Sequence, residues 1–179
     1  MIEDIITRNN FFKLLPNNSI GAELGVLHGV NAISLYHTIK PKKMYLVDKW
    51  EFRQFPIMSW GDYYLEVEQK FAYEVEKGIV ELVRQDDIKW LSSLENNHLD
   101  WLYLDTAHTY EQTVAEINAA LPKIKKGGAF GFHDFYVTPK GWQAGVIRAV
   151  LESCQRNELK MVAITGHESF TSVFCEVME

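Results

Sequence analysis

Four places in the chain combine residue types able to do chemistry. Glu23-Leu24-Gly25-Val26-Leu27-His28-Gly29 sets an acid and two glycines at a predicted strand-to-helix turn. Asp48 closes the next apolar run, Asp105 closes a later one with His108 three residues on, and His133-Asp134 closes another. Carboxylates are hard oxygen donors that suit Mg²⁺, and an imidazole among them widens the range to Mn²⁺, Fe²⁺ or Zn²⁺. Imidazoles titrate near neutrality, so His108 is a candidate acceptor for a substrate hydroxyl proton. If the apolar runs are parallel strands, their ends share one sheet edge, where ligands bind. The pattern points to a nucleotide-like cofactor beside a metal.

Gly25 and Gly29 let backbone approach a ligand and let a helix begin beside it, with free N–H groups suited to a carboxylate or phosphate. The nicotinamide fingerprint G-x-G-x-x-G is absent, because Leu27 and Val30 occupy its second and third glycine positions. An acid at the end of the second strand can accept hydrogen bonds from both ribose hydroxyls. Together the glycine turn and Asp48 favour an adenosine-containing ligand. Each residue also has a plainer reading. The glycines suit an ordinary strand-helix turn, and Asp48 and Asp134 suit turn capping. His108 suits a helix cap, and His133 a hydrogen-bonded core histidine.

These residues need a scaffold. A chain of 179 residues is enough for one domain with a sizeable core. Ile20–Val26, Met44–Val47, Ile79–Val83, Leu99–Leu104 and Ala129–Phe132 read as strands. Helices are expected at residues 2–14, at Gly29–Ile39, and from Tyr64 to a stop at Gly78. Further helices are expected at Asp87–Leu94, from Thr109 to a stop at Gly127-Gly128, and around Trp142–Val150. In the Thr109 helix, Gln112 is placed for a capping box, and Val114, Ile117, Leu121 and Ile124 line the inner face. Two final runs, 161–164 and 172–177, close the sheet as a hairpin. The alternation predicts an α/β fold: a three-layer Rossmann-like sheet, mostly parallel, with one antiparallel strand near the C-terminus. The expected organisation is a single domain over residues 1–179, with a leading helical segment (1–18) and a core (19–179).

The formal charge of −6 disfavours nucleic acid and anionic membranes as partners. Cys154 and Cys175 form no metal or disulfide pattern, and no basic-then-apolar leader opens the chain; a cytoplasmic setting is expected.

The motifs resemble class I S-adenosylmethionine-dependent methyltransferases. The glycine turn has the cofactor-loop spacing of catechol O-methyltransferase-like enzymes. Asp100-Trp-Leu-Tyr-Leu-Asp-Thr-Ala-His-Thr-Tyr-Glu111 and Lys126-Gly-Gly-Ala-Phe-Gly-Phe-His-Asp134 resemble a bacterial group that includes macrocin-type sugar O-methyltransferases. The resemblance implies that Glu23, Gly25 and Gly29 hold the methionine part of S-adenosylmethionine, with Asn31 where a serine or threonine often contacts its carboxylate. It implies that Asp48 binds the ribose and Asp86 sits near the adenine. Asp105 and Asp134 would ligate a divalent cation, Mg²⁺ or Mn²⁺, joined by His133 where the sugar enzymes carry a glutamate. His108 would be the base, where catechol-type enzymes have a lysine. The expected substrate is a small hydroxyl-bearing molecule, a sugar or aromatic diol. The aromatic segments 50–63 and 136–142 would frame it, or would form a homodimer interface or a plug over the core. A nucleotide-dependent oxidoreductase and a non-catalytic cofactor-binding module are the competing readings.

Overall fold

A computed structural model describes residues 3–5, 8–51, 63–136, 144–165 and 171–178. Eight strands form one sheet among them. In chain order they are β1 (Glu3–Ile5), β2 (Ile20–Leu24), β3 (Lys43–Asp48), β4 (Val80–Arg84), β5 (Leu99–Leu104), β6 (Ile124–Phe132), β7 (Leu159–Thr165) and β8 (Val173–Val177). The helices are α1 (Arg8–Phe12), α2 (Val30–Ile39), α3 (Tyr63–Lys70), α4 (Ala72–Glu76), α5 (Asp87–Ser93), α6 (Tyr110–Ala120) and α7 (Ala144–Gln155). The spatial order is β1-β7-β8-β6-β5-β2-β3-β4, and β8 alone runs against its neighbours. The predicted three-layer Rossmann-like fold with one antiparallel strand is therefore the observed one.

Strand β5 shows why the sheet is covered twice. Leu99, Leu102 and Leu104 enter a core built with Trp90 and Leu91 of α5, Ile117 of α6 and Val146 of α7. Trp101 and Tyr103 enter the opposite core, with Phe11 and Phe12 of α1, Leu35 of α2 and Val67 of α3. From Trp101 to Leu104 successive residues point to opposite faces, and a register irregularity between Leu99 and Trp101 sets Leu99 with Leu102. Both faces are apolar, so both must be packed by helices.

Three expectations need correction. The leading segment is not one helix: Glu3–Ile5 pairs parallel with β7, and among the described residues of this segment only Arg8–Phe12 is α-helical. The Tyr64–Gly78 helix is divided at Phe71, whose backbone (φ −112°, ψ 18°) leaves helical geometry. The Thr109 helix ends at Ala120, not at Gly127-Gly128. A 3₁₀ turn with Pro122 follows, and Ile124 already starts β6. Proline lacks an N–H, and its ring would collide with the carbonyl one turn back if the helix continued.

The chain runs β2, β3, β4 outward in one direction and then returns to place β5 on the other side of β2. The C-terminal ends of β2 and β5 are thus adjacent at the point where strand order reverses, and such points leave a crevice.

Candidate functional site

That crevice opens into a cavity of about 960 Å³, within the size range of small-molecule sites. Its wall is drawn from the β2–α2 turn (Gly25 to Asn31), from Asp48 after β3, Gln85 and Asp87 after β4, and Asp105 to His108 after β5.

The glycine turn is built by close backbone contact. Gly25 (φ +83°) donates its N–H to Val47 O at 2.9 Å, and an added Cβ would lie 1.9 Å from Asp105 O. Gly29 (φ +74°) caps α2 with no side-chain hydrogen bond; it does not itself line the cavity, while Val30 and Asn31 of the first helical turn do. Glu23 is fully buried yet lines the cavity, and its Oε1 accepts from Asn31 Nδ2 at 2.7 Å. Glu23 and Asn31, each expected separately at the cofactor site, are thus brought together under the turn.

Asp48 lies at the predicted edge and also braces the turn. Its Oδ2 accepts from the N–H groups of Val26 (2.9 Å) and Leu27 (3.0 Å), and its Oδ1 from Trp50 N (2.7 Å). Asp86 does not line the cavity. It caps α5 by accepting from Lys89 N at 3.1 Å, and it pairs with Lys49 at 2.6 Å. The Lys49 hydrogen bond holds its carboxyl below the usual range. Its neighbour Asp87 is nearly buried and does line the cavity.

The histidine and acidic groups converge as the sequence predicts. Asp105 Oδ1 lies 3.1 Å from His108 Nε2 and 3.0 Å from His133 Nδ1. Asp134 completes the cluster, with Oδ2 at 3.1 Å from His108 Nδ1 and Oδ1 at 3.1 Å from His133 Nδ1. Burial alone would raise the Asp105 pKa, but hydrogen bonds from His108 and His133 outweigh it and hold the carboxyl well below its ordinary value. Asp105 therefore stays ionised. One carboxylate oxygen and two imidazole nitrogens, from Asp105, His108 and His133, lie within 4.8 Å of one another. That donor set fits a divalent ion of borderline softness better than Mg²⁺, which favours all-oxygen shells.

Among the described residues, four of the eight non-glycine positions with positive φ lie here, the others being Asn18, Lys40, Asn97 and Asn157. Leu27 (φ 50°), Trp50 (φ 46°), His108 (φ 58°) and Asp134 (φ 54°) all belong to the turns around the cavity. Such conformations are held only where surrounding contacts over-determine them. Trp50 is pinned by its indole N–H to Leu27 O at 3.0 Å and by edge contact with Tyr64. Most of the two predicted aromatic walls, residues 52–62 and 137–143, lies outside the described residues.

The model of a family described as "Methyltransferase domain" matches residues 22–135, well over half of the chain. The chain belongs to this methyltransferase family. Its placement with the class I methyltransferases follows from the motifs, the fold and this match together. A search of curated proteins gives no match. Solved structures share the fold at low identity. SMU.1697c of Streptococcus mutans, described as a methyltransferase in complex with SAH, is 15% identical with a TM-score of 0.66, covering 97% of this chain and 100% of that one. An rRNA methylase from Streptococcus thermophilus is 13% identical (TM-score 0.66; 96% and 94% covered). The S-adenosylmethionine-dependent O-methyltransferase TM0748 of Thermotoga maritima is 13% identical (TM-score 0.64; 99% and 68% covered). Among the described residues, no helix is long and apolar enough to cross a membrane.

Two residues of this methyltransferase escape a motif-based reading, Asp87 and Glu116. Glu116 is fully buried on α6 and accepts from Thr106 Oγ1 (2.7 Å) and Gln112 Nε2 (2.9 Å), both on residues that line the cavity. Burial and the adjoining Asp87 carboxyl push its pKa up to about 8. A signal existed: Glu116 shares the buried stripe Thr113, Glu116, Ile117 and Ala120, so an acid occupies an inner-face position of an amphipathic helix.

Proposed function

We propose that this protein transfers the methyl group of S-adenosylmethionine to a hydroxyl oxygen of a small molecule, a sugar or an aromatic diol, with a divalent cation assisting. One observation carries the reading: the glycine turn and the Asp105/His108 pair open into the same cavity, at the sheet's reversal point. S-adenosylmethionine, when bound, supplies a methyl group on a positively charged sulfur. Glu23 and Asn31, with the backbone at Gly25 and Gly29, receive its amino-acid end. Asp48 keeps lone pairs for ribose hydroxyls while bracing the turn. The adenine lies against the turn after β4, where Gln85 and Asp87 line the cavity. The whole chain acts as one domain in this reading.

A divalent cation, when bound, lowers the pKa of a coordinated hydroxyl. Asp105, His133 and Asp134 would hold it; the two carboxylates suit Mg²⁺ or Mn²⁺, and the imidazole extends the range to Fe²⁺ or Zn²⁺. Asp134 holds Nδ1 of His108, which leaves Nε2 as the nitrogen directed to Asp105 and the cavity. Once Asp105 is engaged elsewhere, His108 Nε2 can receive the acceptor's proton. A second reading makes His108 Nε2 a ligand instead; its place within the 4.8 Å set favours it.

The test is calorimetric titration with S-adenosylhomocysteine, with and without Mn²⁺, followed by methyl-label transfer to a panel of sugars and catechols. Micromolar binding and a labelled methyl ether are expected. No binding overturns the reading. A ribosomal RNA fragment belongs in the panel because of the rRNA methylase fold neighbour, although the net charge of −6 argues against it.

A further inference from the structure

Glu116 sits one layer behind the cavity wall. No part of the residue is exposed, and one oxygen already takes two donors, Thr106 Oγ1 and Gln112 Nε2. The other, Oε2, is buried, and no N–H or O–H of the described residues reaches it. What adjoins the Glu116 carboxyl is a second carboxyl, that of Asp87. Asp87 Oδ1 accepts from Ile88 N at 2.8 Å, and its residue faces the cavity. Two ionised carboxylates in contact away from water repel each other, and neither can donate to the other. One proton between them removes both faults.

We propose that Glu116 is a positioning residue: it shares one proton with Asp87 and thereby holds the Asp87 carboxyl in the cavity wall as the acceptor for the exocyclic amino group of the cofactor's adenine. The inference rests on the S-adenosylmethionine reading above. It assigns the nucleobase contact to Asp87, while Asp86 is spent on Lys49 and the α5 cap. The surroundings leave the proton few alternatives. On α5, Asp87 meets Glu116, and Lys49 reaches Asp86 instead. On α7, Arg148 and Glu152 bond to each other, and Glu152 also accepts from Tyr110. In the segment before α6, Thr106 contributes an uncharged hydroxyl, while Asp105 and His108 face each other; on α6 itself, Gln112 contributes an uncharged amide. The proton is held tightly enough that only alkaline solution removes it.

The consequence is cofactor affinity that falls with alkalinity. Titration with S-adenosylhomocysteine from pH 6 to 9 should show affinity steady to about pH 7.5 and at least fivefold weaker at pH 9. Glu116→Gln keeps a donor to Asp87 and an acceptor for Thr106 and Gln112, so its affinity should match wild type at pH 6 and resist the alkaline fall. Glu116→Ala leaves Asp87 unheld and should bind at least tenfold more weakly at every pH. The ligand's own amino group titrates equally for all forms, so the difference between curves is what counts. Superimposable wild-type and Glu116→Gln profiles overturn this inference alone, even if Glu116→Ala fails to fold. Absence of binding to wild type at pH 6 overturns the cofactor reading, and this inference with it.

Discussion

The two sides of the cavity are built on opposite plans. On the β2–β3 side the wall is backbone: Gly25 packed against the Asp105 carbonyl, and amides of Val26 and Leu27 tied to Asp48. On the β5–β6 side it is side chain: Asp105 and His108 line the cavity and close a ring of contacts about 3 Å long with His133 and Asp134. Backbone walls fix shape and cannot change protonation. Side-chain rings tolerate substitution sterically but set charge and proton traffic. Damage to the first side should therefore remove binding and stability together, and damage to the second should remove turnover alone.

The largest effect is expected from Gly25→Ala. A methyl group there meets the Asp105 carbonyl, and the positive φ disfavours any side chain. Overpacking and left-handed strain together should cost about 3 kcal/mol, read as a shift in urea midpoint, and S-adenosylhomocysteine binding should vanish. Retained binding would break the contrast at its first term. His108→Ala tests the other side. Loss of a proton acceptor should lower turnover roughly 10²–10⁴-fold, with S-adenosylhomocysteine affinity within twofold of wild type. If Mn²⁺ affinity falls as well, His108 is a ligand, and the second reading of the site gains.

Glu116→Gln sharpens the comparison by pH. The Glu116 pKa is about 8 in the folded protein against an ordinary 4.5. Between those values the unfolded chain has lost a proton that the folded chain keeps. Stability from this group therefore falls as pH rises through that window, most of it gone by about pH 8. The glutamine cannot titrate. Its melting temperature should equal or trail wild type at pH 5 and exceed it by roughly 5 °C at pH 8, given 2–4 °C per kcal/mol at this chain length. Parallel curves would mean that Glu116 is ionised throughout.

Much of this was legible in the sequence because four strands, β2, β3, β5 and β6, are apolar runs with a chemical residue at or beside their ends. β5 is matched residue for residue, and the ends of β2, β3, β5 and β6 meet where the pattern requires. What was illegible depends on contacts between distant segments. β1 is three residues with two acids, and it is a strand because β7 offers a free edge. Asp86 and Asp87 are the same residue side by side. Only the phase of α5 decides that one caps the helix while the other turns to the cavity. Gln112 looks like the second half of a capping box. Thr109 does accept from Gln112 N at 3.3 Å, but the Gln112 side chain goes to Glu116, because a buried carboxyl needs donors more than a helix end open to water does.

The smallest effect, and the most discriminating, is expected from Asp48→Asn. An amide oxygen placed at Oδ2 can still accept from Val26 and Leu27. Its NH₂ then confronts Trp50 N–H, a donor facing a donor, where Oδ1 now accepts at 2.7 Å. One bond of three is lost, worth about 1 kcal/mol. Two roles for Asp48 separate in the paired readings. If Asp48 only braces the turn, stability drops by that amount and S-adenosylhomocysteine affinity follows modestly, because the cradle loosens. If Asp48 also takes the ribose hydroxyls, affinity falls tenfold or more while the urea midpoint moves little further, because a charged acceptor has been replaced by a neutral one at the ligand. The two sides of the cavity would then differ less than their construction suggests, since the backbone wall would owe its ligand specificity to one ionised side chain.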